Sequence, residues 1–229
     1  MRSPVATVAE AAGAAPRPAE RRDPARTRAQ ILEAALVEFA QKGLDGARVD
    51  QIAARAGANK RMLYHYFGNK EDLFLAVLER TYDDIRGREA ALHLEDMAPV
   101  AGMRRLVEFS FGYYTRNPYF ISLLNSENLH RARHLRRSAR IRQMHSPLVH
   151  MIGDLLRRGQ AAGVFRRDVD PVQLYISIAG MGYFYFSNVH TLSTIFAADL
   201  ATPEACARRA AHIVEVVLGY LRPIDWEGG

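Results

Sequence analysis

Apolar residues recur at helical spacing along most of the chain and nowhere alternate as they would in a strand, so the pattern predicts an all-α protein. Ile31, Leu32, Ala35, Leu36 and Phe39 stripe a first helix, opened by a capping box at Thr27 and Gln30 and closed at Gly43. Val49, Ile52, Ala53 and Ala56 make a second, shorter apolar face that Gly57 breaks. Asn59 is placed to cap a third helix, with Leu63, Tyr66 and Phe67 inward and Lys60, Arg61, Tyr64 and His65 outward. Two short helices joined by a tight glycine turn describe a helix-turn-helix.

Beyond this motif, Leu73, Phe74, Val77 and Leu78 continue a helix through about Ile85, ending near Gly87, and Pro99 closes a joint over 88–100. Helices follow over 103–114, 119–129 and about 132–159, divided by Asn117-Pro118 and near His130. The longest carries Leu135, Met144, Leu148, Ile152, Leu155 and Leu156, with Pro147 expected to kink or divide it. Asp170 and Pro171 start a helix to about Asn188 that is apolar nearly all round and needs cover on every side. Thr202-Pro203 opens a last helix striped by Ala210, Ile213, Val214, Val217, Leu218 and Leu221. Nine or ten helices are expected.

Composition narrows the setting. At 229 residues and 48% hydrophobic content the chain can bury one large core or two modest ones. A formal charge of +6 favours a polyanionic partner. The single cysteine, Cys206, excludes an internal disulfide and a cysteine-based zinc site, in keeping with a reducing cytoplasm. Residues 1–24, interrupted by Glu10, Gly13, Pro16, Pro18 and Glu20, do not read as a signal peptide; they read as a disordered basic arm, whose Arg17, Arg21 and Arg22, with Arg26 and Arg28 at the helix start, are open to two readings, as contacts to phosphate or an adjacent minor groove or as plain solvated charges. Residues 171–198 lack Asp, Glu, Lys and Arg, but eight polar side chains from Gln173 to Thr194 dilute the run below a membrane span of ~20 residues.

Gln51-Ile52-Ala53, Ala56-Gly57, Leu63-Tyr64-His65-Tyr66-Phe67 and Asn69-Lys70-Glu71-Asp72-Leu73 resemble, in order and spacing, the DNA-binding domain of the TetR family of bacterial transcriptional regulators, over residues 26–75. The chain departs from the family pattern at Arg48, where a small hydroxyl residue is usual, and at Met62, where Thr is usual; the second change bears on which operator is read. The resemblance divides the chain into a helix-turn-helix domain over 25–72, a helical ligand-binding and dimerisation domain over 73–222 and a tail over 223–229. It also implies that the helix over 73–87 connects the two domains and that the last two helices pair with their twofold mates, where Ser177, Ala179, Gly180 and Gly182 permit close approach.

The chemistry of the motif agrees. Long donors near the start of a helix suit guanine edges and phosphates in the major groove, and Lys60 and Arg61 stand there. Arg48, Asn59, Met62, Tyr64 and His65 complete the expected DNA face. Lys70 follows the Asn69 cap, where its charge and free amides suit a phosphate. For a small-molecule effector the expected wall residues are Phe109, Tyr113, Phe120, Met144, Met151, Tyr175 and Tyr183, drawn from the aromatic and methionine set. The arginines at 131, 133, 136, 137, 140 and 142 read as the solvated side of a helix. Glu127 and His130, or His130 and His134, have metal-ligand spacing, but a di-iron bundle needs a second such pair, so no metal and no cofactor are expected.

The expectation is a homodimeric, cytoplasmic, ligand-responsive regulator, a repressor that binds a palindromic double-stranded operator, with no membrane partner and no enzymatic activity. An activator or a protein-controlled regulator of the same fold, and a helical metal-dependent enzyme, stay open as alternatives.

Overall fold

The computed structural model describes residues 23–223. The basic arm expected over 1–24 lies almost wholly outside them, as does the tail after residue 223. Every regular element among the described residues is helical, so the protein is all-α, with ten α-helices and two short 3-10 turns.

Helix α1 (Pro24–Gly46) begins one turn earlier than its apolar stripe suggests. Asp23 caps it by accepting from the Ala25 N–H at 2.9 Å, with Pro24 at the first position, where its missing N–H costs nothing. Thr27 is therefore not the cap. It sits inside the helix and donates its hydroxyl back to the Asp23 carbonyl. Gly43, with φ 66° and ψ 179°, kinks the helix where it was expected to end. Helix α2 (Val49–Arg55) and helix α3 (Lys60–Phe67) follow at the expected places.

Helix α4 (Lys70–Ala90) runs through Gly87 for another turn and straddles the expected domain boundary. Helix α5 (Pro99–Arg116) starts at the proline itself, and α6 (Pro118–Leu129) follows. The single helix expected from residue 132 onward is not formed at its start. Arg131 and Ala132 turn the chain with φ of 55° and 57°, Leu135–Arg137 makes a 3-10 turn, and Ser138 caps α7 (Ala139–Ala161) by accepting from the Ile141 N–H. Helix α7 continues through Pro147. Helix α8 (Pro171–Ser187) and α10 (Pro203–Leu221) have the expected caps at Asp170 and Thr202, and a short α9 (Val189–Ile195) intervenes.

Two main cores result. Ile31, Ala35, Phe39, Ile52, Leu63, Phe67, Phe74 and Leu78 bind α1 to α4 together, and Leu123 of α6 and Ile141 of α7 reach into the same core. Met103, Leu106, Phe111, Ile152, Leu155, Leu174, Ile213 and Val217 bind α5, α7, α8 and α10. A smaller aromatic cluster of Ile85, Tyr113, Tyr114 and Phe120 lies between α4, α5 and α6.

Helix α8 is not covered all round. Leu174, Ile178, Gly182 and Tyr185 are buried, whereas Ile176 and Phe184 are 54% and 57% exposed; Ile176 lines one groove with the exposed Val216 and Tyr220 of α10. Gly182 is also unavailable to a second chain. A Cβ there would come within 2.9 Å of the Tyr114 ring, so the glycine serves the α5–α8 contact; Gly180 faces open space.

Candidate nucleic-acid interface

The helix-turn-helix is built by local rules. Helix α2 ends when Gly57 takes φ 60°, letting the Ala58 N–H bond to the Ala53 carbonyl at 3.0 Å and the Gly57 N–H to Ala54. Asn59 then caps α3 by accepting from the Met62 N–H at 2.9 Å. Leu63 and Phe67 lock α3 onto the core, with Tyr66 half-buried beside them, while Lys60, Arg61, Tyr64 and His65 are exposed. Met62 is half-buried at the edge of this face. The Arg28 guanidinium lies 5.0 Å over the Phe67 ring, so this arginine is tied to the end of α3.

Two of the expected donors already have partners. Lys60 Nζ lies 3.1 Å from Asp50 of α2, and a hydrogen bond to that carboxylate raises the lysine pKa. Lys70 Nζ donates to the Asp45 carbonyl at 3.2 Å, pinning the start of α4 to the end of α1. Asn69 caps α4 by accepting from the Asp72 N–H. Arg48 makes no side-chain cap for α2; its own N–H donates to buried Glu38, which also accepts from Lys42. Burial pushes the Glu38 carboxyl up, but those hydrogen bonds and nearby positive charge outweigh it and hold it below the usual carboxylate range.

The arginines of the run are exposed, as expected, but three of them also pair with acids of α4. Along α4, Arg133 pairs with Glu71 at 2.8 Å, Arg137 with Asp72, and Arg140 with Asp83 at 2.6 Å, while Ser138 donates to Glu79 at 2.6 Å. The α6–α7 connection is thus a strap along the acidic side of α4. Its anchor is Glu127, buried on α6, which accepts from the His134 and Leu135 backbone N–H groups and from His134 Nδ1 at 2.6 Å. Glu127 and His134 hold each other, and the His134 ring packs edge-on against Phe74 of α4.

The seven expected effector residues do not surround one space. Met144 and Met151 line a cavity of about 350 Å³ between α4 and α7, with Asp83, Arg86, Glu89, Pro147 and Leu148. Tyr113 and Phe120 line a separate, more polar groove near α1, and Phe109, Tyr175 and Tyr183 belong to the walls of neither. The Tyr113 hydroxyl donates to Asp84 and that of Tyr183 to Asn125. Sequence reasoning missed Arg86 and Glu89 as wall residues. A signal was present: Leu78, Tyr82, Ile85 and Glu89 continue one inward stripe of α4, so a carboxylate occupies a core register.

A solvent-facing helix on a helix-turn-helix, joined by one long helix to a helical body with an open-sided pocket between α4 and α7, is the architecture of a DNA-binding regulator. Residues 31–77 match the model of bacterial regulatory proteins of the tetR family, and residues 99–217 match the tetracyclin repressor-like C-terminal domain. The HTH-type transcriptional repressor NicS of Pseudomonas putida is 42% identical over 197 residues, covering 86% of this chain and 93% of that one. The HTH-type transcriptional repressor SCO4008 of Streptomyces coelicolor is 55% identical over 64 residues, 28% of this chain and 33% of that one. Among solved structures, a transcriptional regulator of Streptomyces coelicolor, SCO4942, superposes with a TM-score of 0.63 at 26% identity, covering 85% of this chain and 98% of that one. The chain belongs to the TetR family and is a DNA-binding transcriptional regulator. No helix among the described residues is long and apolar enough to cross a membrane.

Proposed function

We propose that the protein is a repressor that grips a palindromic operator as a homodimer and lets go when a small molecule fills its helical body. The observation that carries the reading is the division of α3, whose apolar side is fixed by Leu63 and Phe67 while Lys60, Arg61, Tyr64 and His65 stand free of the core. Lys60 and Arg61 read bases or hold phosphates, Tyr64 and His65 add hydrogen bonds, and Arg48, Asn59, Met62 and Lys70 set the helix against the backbone. Residues 25–72 form the reading domain and 73–222 the sensing and pairing domain. The exposed apolar face of Ile176, Phe184, Val216 and Tyr220 supports pairing through α8 and α10, which places two copies of α3 about one helical turn, roughly 34 Å, apart. The relatives named as repressors support the sign of regulation.

The test is a fluorescence-anisotropy titration of the protein against the DNA upstream of its own gene and a scrambled duplex, at several salt concentrations. Salt-sensitive binding that prefers the upstream DNA, with the preference lost in Lys60→Ala and Arg61→Ala proteins that stay folded, is the expected result. An unchanged preference in both variants overturns the assignment of α3.

A further inference from the structure

Arg86 is a buried cation whose guanidinium lies 5.7 Å over the Tyr175 ring but whose N–H donors lack adequate hydrogen-bond partners. Its side chain is only 9% exposed, and it lines the α4–α7 cavity. A guanidinium presents five N–H donors. Here Nε and Nη1 have no hydrogen-bond partner, and Nη2 makes only a long contact of 3.4 Å to the Tyr175 hydroxyl. Nη1 does lie 2.9 Å from Glu89 Oε2, but as an ion pair without hydrogen-bond alignment, and that oxygen is itself unpartnered. Burial is the larger influence on Glu89 and, against the pull of Arg86, pushes its carboxyl up to about 7. Near neutral pH the pair is therefore poorly compensated as well as poorly hydrogen-bonded. Groups in this condition cost free energy until a partner arrives.

We propose that this cavity binds a small monocarboxylic acid with an apolar body, its carboxylate held by Arg86 and its body by Met144, Leu148 and Met151. A carboxylate matches the guanidinium fork in two parallel hydrogen bonds. The rest of the wall selects against more highly charged anions. Among the described residues Arg86 is the one cation lining the cavity, and Asp83, the other wall acid, is already paired from outside by Arg140. At about 350 Å³ the space stands at the low end of the range of roughly 300–1,000 Å³ for ligand sites, which suits a single ring or short chain and not a nucleotide-bearing thioester. Arg86 and Glu89 belong to α4 and the methionines to α7, so such an acid ties the helix that carries α3 to the helix behind it. This deepens the proposed function, because it names the effector class of that regulator.

The test is isothermal titration calorimetry on the full chain with benzoate, cyclohexanecarboxylate and hexanoate, each against its own neutral amide. At least one acid binds about tenfold or more tightly than its amide, and Arg86→Met removes that preference while Arg86→Lys keeps part of it. Because removing Arg86 strands Glu89, Met151→Trp provides a second variant that fills the cavity, leaves the ion pair in place and also abolishes binding. Equal affinity for acid and amide, no binding by any acid at millimolar concentration, or acid binding that survives Arg86→Met overturns the proposal. No DNA enters this measurement. A protein that keeps its operator preference but ignores all three acids refutes the effector class and leaves the regulator intact.

Discussion

Lys60, the first residue of the outward-facing helix α3, is held 3.1 Å from Asp50 of the supporting helix α2. Both side chains are largely exposed, so the pair is weak in water. It still has a directional effect, since Asp50 brings a negative charge to the surface proposed to meet phosphates and occupies a donor proposed to contact DNA.

Replacing that acid is expected to help binding without helping selection. Asp50→Asn tightens binding to operator and scrambled duplex alike, by about two- to fivefold at low salt, and the gain shrinks as salt rises. Anisotropy titrations at two salt concentrations check this. Weaker binding by the variant shows that Asp50 positions Lys60 on the DNA.

Glu89 governs a pH dependence of stability. Its folded pKa of about 7 lies above the ordinary value of 4.5, so between these values the folded chain holds a proton that the unfolded chain has released. Stability from this group is then full below about pH 4.5, falls as pH rises towards 7, and stays low above it; a shift of this size corresponds to about 3 kcal/mol. Urea melts of the wild type and of Glu89→Gln across this range should differ most above pH 7 and converge near pH 5. Parallel curves contradict the assignment.

The strap depends on Glu127. Glu127→Ala leaves two backbone N–H groups and His134 Nδ1 unpaired in a buried site, with an expected loss of about 3–5 kcal/mol. The partly exposed pairs of Arg133 and Arg140 to α4 are worth about 1 kcal/mol or less each. Chemical denaturation of Glu127→Ala beside Arg133→Ala and Arg140→Ala separates the two cases, and similar small losses for all three show that the strap has no single anchor.

The exposed face of α8 and α10 makes a prediction about assembly. Phe184→Arg, which replaces a side chain 57% exposed in the single chain, should shift a dimer towards monomer in analytical ultracentrifugation without lowering helix content. A variant that sediments as the wild type removes this face from the interface.

Where structure followed local chemistry, the sequence was readable. The Asn59 cap, the turn at Gly57, and the Asp170-Pro171 and Thr202-Pro203 starts were all legible, because a cap or a left-handed glycine acts within a few residues of itself. Competition between local signals was harder. Thr27 with Gln30 satisfies a capping pattern, yet Asp23 with Pro24 offers an equally good cap one turn earlier and the helix takes the longer solution. Arg131 and Ala132 hide a reversal, since neither residue type announces positive φ; the turn is enforced by Glu127 gathering the N–H groups of His134 and Leu135. Gly182 looked like a place for a partner helix, but Tyr114, far off in the chain, fills the space. The α3 surface was legible because its pattern repeats every turn, whereas a cavity between α4 and α7 depends on distances no single helix encodes.

Helix α4 carries Lys70 at one end and Arg86 with Glu89 near the other. For anyone refitting such a protein as a biosensor, the two walls of the cavity then offer different handles. If the cavity is the effector site proposed above, substitutions at Met144, Leu148 or Met151 change the ligand contacts without changing α4, while substitutions at Arg86 or Glu89 change the ligand contacts and α4 together. On that reading, libraries confined to α7 explore new analytes with the sequence of α4 held constant, whereas those on α4 also change the helix that carries α3.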